Sequence, residues 1–311
     1  MQDVISQLNN NLKRHIHNEF YDNFFSQTYT YSLLPAGKLF RPLIVWAITQ
    51  DFDHDNNFSK NHQLLASFVE VHHTYTLIHD DMPCMDNDDM RRGRASTHKK
   101  FGQWQALLAG DGLLNASYSV LSKINSDKLF QLMRYSTWAL GPKGLILGQA
   151  MDLAGKMNNS FEDLILTHTL KTARLIQVCL TGSLLLVKNK SLPDNLKTYK
   201  SIHKLGQEMG IAFQLLDDLC ELEDEQLSVH EKDINPWPKN SDICLARLQK
   251  SLEHIEVFYN EYRCENLLNV YSIYLKKIET LLKGSQNIIE KHIKMNLDPV
   301  MLCLNRLSSR N

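Results

Sequence analysis

The sequence predicts an all-α protein, and three features carry that prediction. Only 13 Gly and 8 Pro punctuate 311 residues. Apolar residues recur at three- and four-residue steps through most of the chain, the period of an amphipathic helix rather than the alternation of a strand. The breaks in that pattern are short and polar, several with Asn, Gly or Pro in turn positions. They fall at Asp51 to Lys60, Ser122 to Asp127, Gly155 to Ser160, Lys188 to Asp194 and Glu223 to Asp242. None is long or simple enough to link two domains, so residues 1–311 are expected to form a single domain.

Taken in chain order, the first twenty residues lack the apolar core of a secretory signal, and Asp3 and Glu19 argue against a transit peptide. After the first break, Leu64, Phe68, Val71, Tyr75 and Ile78 step by 4, 3, 4 and 3, one stripe of an amphipathic helix. Beyond the fourth break, Ile202, Leu205, Met209, Ala212, Leu216 and Leu219 step by 3, 4, 3, 4 and 3, a second such helix. From about Asp242 onward Leu245, Leu248, Leu252 and Ile255 keep the helical period, and this stretch is read as closing helices.

Composition narrows the functional classes. With 43% apolar residues the chain can bury a substantial core. A formal net charge of −1 supplies no field for polyanions, so a nucleic-acid partner is not expected. The six cysteines form no Cys-x-x-Cys pair, which suggests neither a disulfide framework nor a thiolate zinc site and fits a reducing, cytoplasmic location. No stretch approaches the roughly 18 uninterrupted apolar residues that span a bilayer, so stable membrane insertion is not expected.

Two acidic clusters stand out. Asp80, Asp81, Asp86, Asp88 and Asp89 crowd a ten-residue window where the apolar period of the first stripe ends. A solvated loop would account for acidic crowding alone, but His73 lies seven residues before Asp80, nearly on the same helical face, and Arg91 and Arg92 follow directly. In the second cluster Gln214, Asp217, Asp218 and Glu221 are spaced i, i+3, i+4 and i+7 opposite the second apolar stripe. Carboxylates at that spacing repel one another, more so when partly desolvated, and a divalent cation resolves the conflict. Oxygen-only donors favour a hard ion, and magnesium commonly bridges one or two carboxylates to substrate phosphates while keeping several waters.

These residues resemble the trans-isoprenyl diphosphate synthases, most closely bacterial farnesyl diphosphate synthases. Asp80-Asp81-Met-Pro-Cys-Met-Asp86, continuing to Arg91-Arg92-Gly, is similar to the family's first aspartate-rich motif in its bacterial form, and Phe213-Gln214-Leu-Leu-Asp217-Asp218-Leu-Cys-Glu221 to the second. Gly37-Lys38-Leu-Phe-Arg41-Pro42, Glu70-Val-His-His73, Gly110-Asp111, Gly148-Gln149-Ala-Met-Asp152-Leu and Lys171-Thr172 occur in the family's order. The resemblance runs from about Pro35 to Pro238.

The resemblance implies an all-α isoprenoid synthase fold, with helices around a deep central cavity and the acidic motifs facing each other across its mouth. It also implies condensation of an allylic diphosphate, dimethylallyl or geranyl, with isopentenyl diphosphate to give farnesyl diphosphate and diphosphate. By the same resemblance Asp80, Asp81 and Asp86, and Asp217, Asp218 and Glu221, would hold magnesium, three ions bound together with diphosphate. Arg91, Lys171 and Lys232 would contact the allylic diphosphate; Lys38, Arg41, His73 and Arg92 would cradle that of isopentenyl diphosphate, Arg with planar multi-donor contacts and Lys with a compact charge. Thr172 and Gln214 would line the site near the reacting carbons. The departing diphosphate would take the proton, so no side-chain base is assigned. An aromatic residue at Tyr75, five residues and about 7.5 Å of helix rise before Asp80, resembles a floor that stops the product at fifteen carbons, although Tyr75 also belongs to the apolar stripe. A homodimer is the assembly the family implies.

Several positions depart from the family pattern: Ala36, Leu39, Leu147 and Ala173 replace residues that are commonly glycine or basic, Glu221 replaces an aspartate, and the loop from Glu223 to Pro238 is short. Geranyl or geranylgeranyl diphosphate synthesis is the near alternative, and a non-catalytic regulatory subunit of a prenyl synthase the distant one. A terpene cyclase has no need of Lys38, Arg41, His73 and Arg92. His79 and His98 are read as structural, because hard magnesium prefers oxygen. Cys84 and Cys220, inside the two motifs, are not assigned a catalytic thiol.

Overall fold

The computed structural model describes residues 1–55, 58–224 and 235–309. Helices dominate the described residues, and their only strands are two-residue partners, Met90–Arg91 (β1) and Arg94–Ala95 (β2), closed by Arg92 and Gly93 at positive φ. This hairpin and an isolated antiparallel bridge between Asp53 and Lys190 are the β pairings among the described residues. The hairpin arises where the acidic loop must turn back, and Gly93, at φ 74°, tolerates the left-handed conformation.

The chain divides into two compact units, Met1–Thr137 with Val178–Ser191 and Trp138–Gln177 with Leu192–Asn311. In the first unit, α1 (Gln2–His17), α2 (Ser26–Leu33), α3 (Phe40–Phe52), α4 (Lys60–Asp80), α5 (Thr97–Phe101) and α6 (Gln103–Ser122) precede α7 (Leu129–Leu140), which ends across the unit boundary. Helix α4 is the centre, packed on α6, α3 and α1. All five residues of its apolar stripe are buried, and Val71, Tyr75 and Ile78 join Leu12, Ile16, Leu33, Ala106, Leu113 and Ala116 in one cluster. The alanines of α6 keep that helix close to α4, so the end of α4 that carries Asp80 and Asp81 is held by packing on several sides.

In the second unit, α8 (Leu145–Leu153), a 3₁₀ turn (Lys156–Asn158) and α9 (Phe161–His168) lead into one turn of π-helix, Thr169–Ala173, and then α10 (Arg174–Leu186), whose later residues belong to the first unit. Ser160 caps α9 by accepting from Asp163 N at 3.0 Å, and Asn195 caps α11 (Leu196–Glu221) by accepting from Thr198 N at 3.0 Å. Helix α11 is the central element here, packed on the π turn and on α12 (Trp237–Tyr262). Three closing helices follow: α13 (Glu265–Gly284), α14 (Gln286–Ile293) and α15 (Asp298–Ser308). The last break is therefore shorter than the sequence pattern suggests. Helix α12 starts at Trp237 rather than near Asp242, with a non-helical Asn240 interrupting its first turns.

All six residues of the second apolar stripe are fully buried, but α11 is buried more widely than that stripe. Ile211, Leu215 and Leu222 are fully buried as well and define a second row, stepping by 4 and 7, in which Asp218 falls. Asp218 is thus only 6% exposed, not on an open polar face with Asp217 and Glu221. A single periodic row does not reveal the width of a helix's buried arc, which is why the spacing alone misplaces this residue.

Candidate active site

The basic residues expected around isopentenyl diphosphate gather in the first unit. Arg41, in the first turn of α3, donates from Nη1 to His73 Nε2 of α4 at 3.1 Å. Burial, reinforced by Arg41, Arg92, His72 and Arg91, holds the His73 imidazole well below its ordinary pKa. A neutral ring that accepts from Arg41 follows. Arg92 Nη2 lies 3.6 Å from Glu70 Oε1, and Glu70 is one helical turn before His73. Gly37 closes the other side of Arg92: a Cβ on Gly37 would stand 2.6 Å from the guanidinium carbon. Lys38 follows Gly37 and is exposed, whereas Leu39 is buried at φ 53°, where it forms the N-cap of α3. A basic side chain at that position would be directed into the core.

The first acidic cluster is half closed. Asp80 ends α4 and is partly exposed; Asp86 is exposed; Asp81 is 2% exposed. Arg91 Nε donates to Asp81 Oδ1 at 2.7 Å, and Arg91 Nη2 donates to Asp88 Oδ2 at 2.7 Å. Burial raises the pKa of Asp81, while Arg91 draws it back. A cleft beside this cluster is lined by Thr74, Ile78, Asp81, Arg91 and Arg92. Tyr75 is buried and edge-on to the rings of His72 at 4.6 Å and His79 at 5.8 Å.

The second cluster is built on the π turn and α11. Lys171 and Thr172 both lie on the π turn, a helical irregularity frequent at functional sites. Lys171 pairs with Asp152 of α8. Gly148 lies directly against the backbone of Leu170 and Lys171, which leaves no room for a side chain and lets α8 approach the turn. Thr172 Oγ1 donates to Gln214 Oε1 at 3.0 Å, and Gln214 Nε2 donates to Asp218 Oδ1 at 2.9 Å. Asp218 Oδ2 is buried without a hydrogen-bond partner, 3.6 Å from His168 Nε2. Burial drives His168 down to about 3, which leaves it neutral. Burial also holds the Asp218 carboxyl well above the ordinary range, opposed by Gln214 and reinforced by Glu221, Asp217 and Asp152. Beyond the end of α11, Asn235 Nδ2 donates to Asp218 O at 2.5 Å and Trp237 Nε1 to Leu215 O at 2.7 Å. Lys232 lies outside the described residues.

Four residues without an assigned role take part in these networks: Glu70, Asp152, His168 and Asn235. The first two were visible as members of recurrent motifs, and Glu70 shares a helix face with His73. His168 and Asn235 carry no spacing signal that separates them from ordinary helix and loop residues. His79 contacts Leu107 O at 3.1 Å, and His98 contacts Ser96 Oγ at 3.0 Å. The Cys220 thiol is buried and pushed up to about 12. It is therefore protonated and unreactive near neutral pH.

The donor chemistry suits magnesium. Both clusters offer carboxylate oxygens, and the orphaned, buried Asp218 Oδ2 is the kind of atom a cation or its bound water satisfies. Among the described residues no three carboxylate, imidazole or thiolate groups converge to enclose an ion by themselves. Magnesium, which takes one or two carboxylates and fills its shell with water and phosphate oxygens, needs no such cage.

Comparison with known proteins identifies the family. A farnesyl diphosphate synthase of Bacillus subtilis is 35% identical over 209 residues, 65% of this chain and 68% of that protein. A geranylgeranyl diphosphate synthase of Pseudescherichia vulneris is 35% identical over 229 residues, 72% of this chain and 73% of that protein. A geranyltransferase from Helicobacter pylori, solved in complex with magnesium and isoprenyl diphosphate, shares the all-α isoprenoid synthase fold with a TM-score of 0.62 at 26% identity, covering 98% of this chain and 97% of that one. The polyprenyl synthetase model matches residues 22–236, a span that contains both acidic clusters and the basic cradle, and the chain belongs to that family of trans-prenyl synthases.

Proposed function

We propose that the chain is a magnesium-dependent prenyltransferase acting as one domain, which joins isopentenyl diphosphate to dimethylallyl or geranyl diphosphate and releases farnesyl diphosphate and diphosphate. The observation that carries this reading is the coexistence of a carboxylate set and a separate basic cradle. A terpene cyclase needs only the first.

Lys38, Arg41, His73 and Arg92 bind the diphosphate of isopentenyl diphosphate. Arg41 is oriented by the hydrogen bond to His73, and Arg92 by Gly37 and Glu70. Arg91, Lys171 and Lys232 bind the allylic diphosphate; Lys171 is placed by its pairing with Asp152. Asp80, Asp81 and Asp86, and Asp217, Asp218 and Glu221, hold magnesium. When bound, the ions withdraw charge from the departing diphosphate. Thr172 and Gln214, joined by a hydrogen bond, present oxygen dipoles near the carbon that becomes positive. The double bond of isopentenyl diphosphate attacks that carbon, and the proton is lost to diphosphate, so no side chain needs to act as base.

The reading is tested by turnover of labelled isopentenyl diphosphate by the purified protein with magnesium and each allylic primer, with product length read in the same assay. A fifteen-carbon product dependent on magnesium is expected. No turnover with any primer rejects an active synthase in favour of a regulatory subunit, and a twenty-carbon product rejects the farnesyl assignment. Tyr75 is proposed as the chain-length residue. Tyr75→Ala should lengthen the product and, because the ring packs in the α4–α6 cluster, lower stability by about 3 kcal/mol; an unchanged product distribution would refute the role.

A further inference from the structure

Glu70 is 3% exposed on α4 and approaches Arg92 Nη2 at 3.6 Å. Burial raises its pKa, and the charges of Arg92 and Arg41 bring it back down. Its charge acts on Arg41 in return, against the repulsion between Arg41 and Arg92. Arg92 thus meets one buried carboxylate whose charge also reaches Arg41, and the surplus positive charge is available to an anion. The geometry shows that the arrangement is incomplete: Arg41 Nε is buried without a hydrogen-bond partner, while Arg41 Nη1 is spent on His73. The absence of a side chain at Gly37 leaves the Arg92 guanidinium its place, since a Cβ there would stand 2.6 Å from the guanidinium carbon.

We infer that Glu70 is a positioning residue for the isopentenyl diphosphate site, a buried carboxylate that holds the Arg92 guanidinium in place for a diphosphate. This rests on the reading of the chain as a prenyltransferase. Glu70 touches no substrate; it acts through Arg92.

The test is calorimetric titration of isopentenyl diphosphate into the full chain without metal or primer, beside turnover by the same preparations. Glu70→Gln should weaken binding roughly tenfold, the scale on which supporting partners of ligand-binding groups act. It should raise KM for isopentenyl diphosphate and leave KM for the allylic primer unchanged. The bare loss of a negative charge would act in the opposite sense, since two uncompensated arginines attract an anion more strongly. Unchanged or tighter binding by Glu70→Gln therefore overturns the inference. Glu70→Asp keeps the charge and shortens its reach: a several-fold loss is expected, and wild-type affinity overturns it, which keeps the test open should the Gln variant not fold. Arg92→Gln combined with Glu70→Gln should lose little beyond Arg92→Gln alone, and full additivity overturns it. Glu208→Gln is the control, a buried carboxylate of the second unit bonded to Arg247 and Ser251, and should lower stability without altering isopentenyl diphosphate affinity. Binding without turnover by the wild-type protein would reject the enzymatic reading and leave the Glu70 result standing; no wild-type binding overturns the inference.

Discussion

Asp81 and Asp218 are both buried carboxylates inside acidic motifs, and the chain answers the cost of burying them in two different ways. Asp81 is given a cation of its own, Arg91, at 2.7 Å. Among the described residues Asp218 receives the Gln214 amide on one oxygen and the neutral ring of His168 at 3.6 Å from the other. Glu221, Asp217 and Asp152 make its ionisation harder. On the proposed reading, a metal at the first motif would compete with a guanidinium, and one at the second would meet a carboxyl whose pKa burial raises.

The sharpest way to break this contrast is Asp218→Asn. Turnover should fall by roughly 10²- to 10³-fold, the scale of losing one charge-stabilising group. The metal-free protein should meanwhile become more stable at neutral pH. The sign follows from the raised folded pKa: the native state holds its proton more tightly than the unfolded chain, so stability falls as pH rises from the ordinary 3.8 through the raised value. Thermal melts in chelator at pH 5 and pH 8 should show a larger difference for the wild-type protein than for Asp218→Asn. Equal differences would remove the proton from the account.

Arg91→Gln should have a smaller, two-sided effect. Freed of its counter-ion, Asp81 should bind metal at a roughly tenfold lower concentration, while KM for the allylic primer rises by a similar factor. A metal titration of turnover at saturating substrate checks the first and a primer titration the second; a higher metal requirement would contradict the competition. Gly37→Ala should raise KM for isopentenyl diphosphate several-fold at little cost in stability, because the new methyl group meets the movable end of Arg92. The smallest change is expected for Asp88→Asn. Asp88 contacts Arg91 from a half-exposed position, and the metal requirement should move by no more than about threefold.

The fold and the outline of the site were legible because they rest on periodicity and on short motifs. The α4 and α11 stripes are buried as their steps require, Arg41 meets His73, and Arg92 approaches Glu70. What the sequence did not disclose depends on packing from several sides at once. Asp218 lies within a buried arc wider than one row of α11, and its neighbours His168 and Asn235 come from segments about 50 residues before it and 17 after it. The Arg91–Asp81 pairing depends on the segment between them folding back on itself, with Asp86 N donating to Asp80 O at 2.9 Å and Asn87 at positive φ, which no periodic reading detects.

The π turn at Thr169–Ala173 amounts to one extra residue wound into an otherwise continuous helical path from α9 to α10. Deleting a single residue there would let the path run as a regular spiral, but every position downstream would rotate by about 100° relative to those upstream. Either Lys171 and Thr172 would lose their partners or the buried face of α10 would swing outward. The irregularity is thus a register joint between α9 and α10, and its length fixes which residues of α10 face inward.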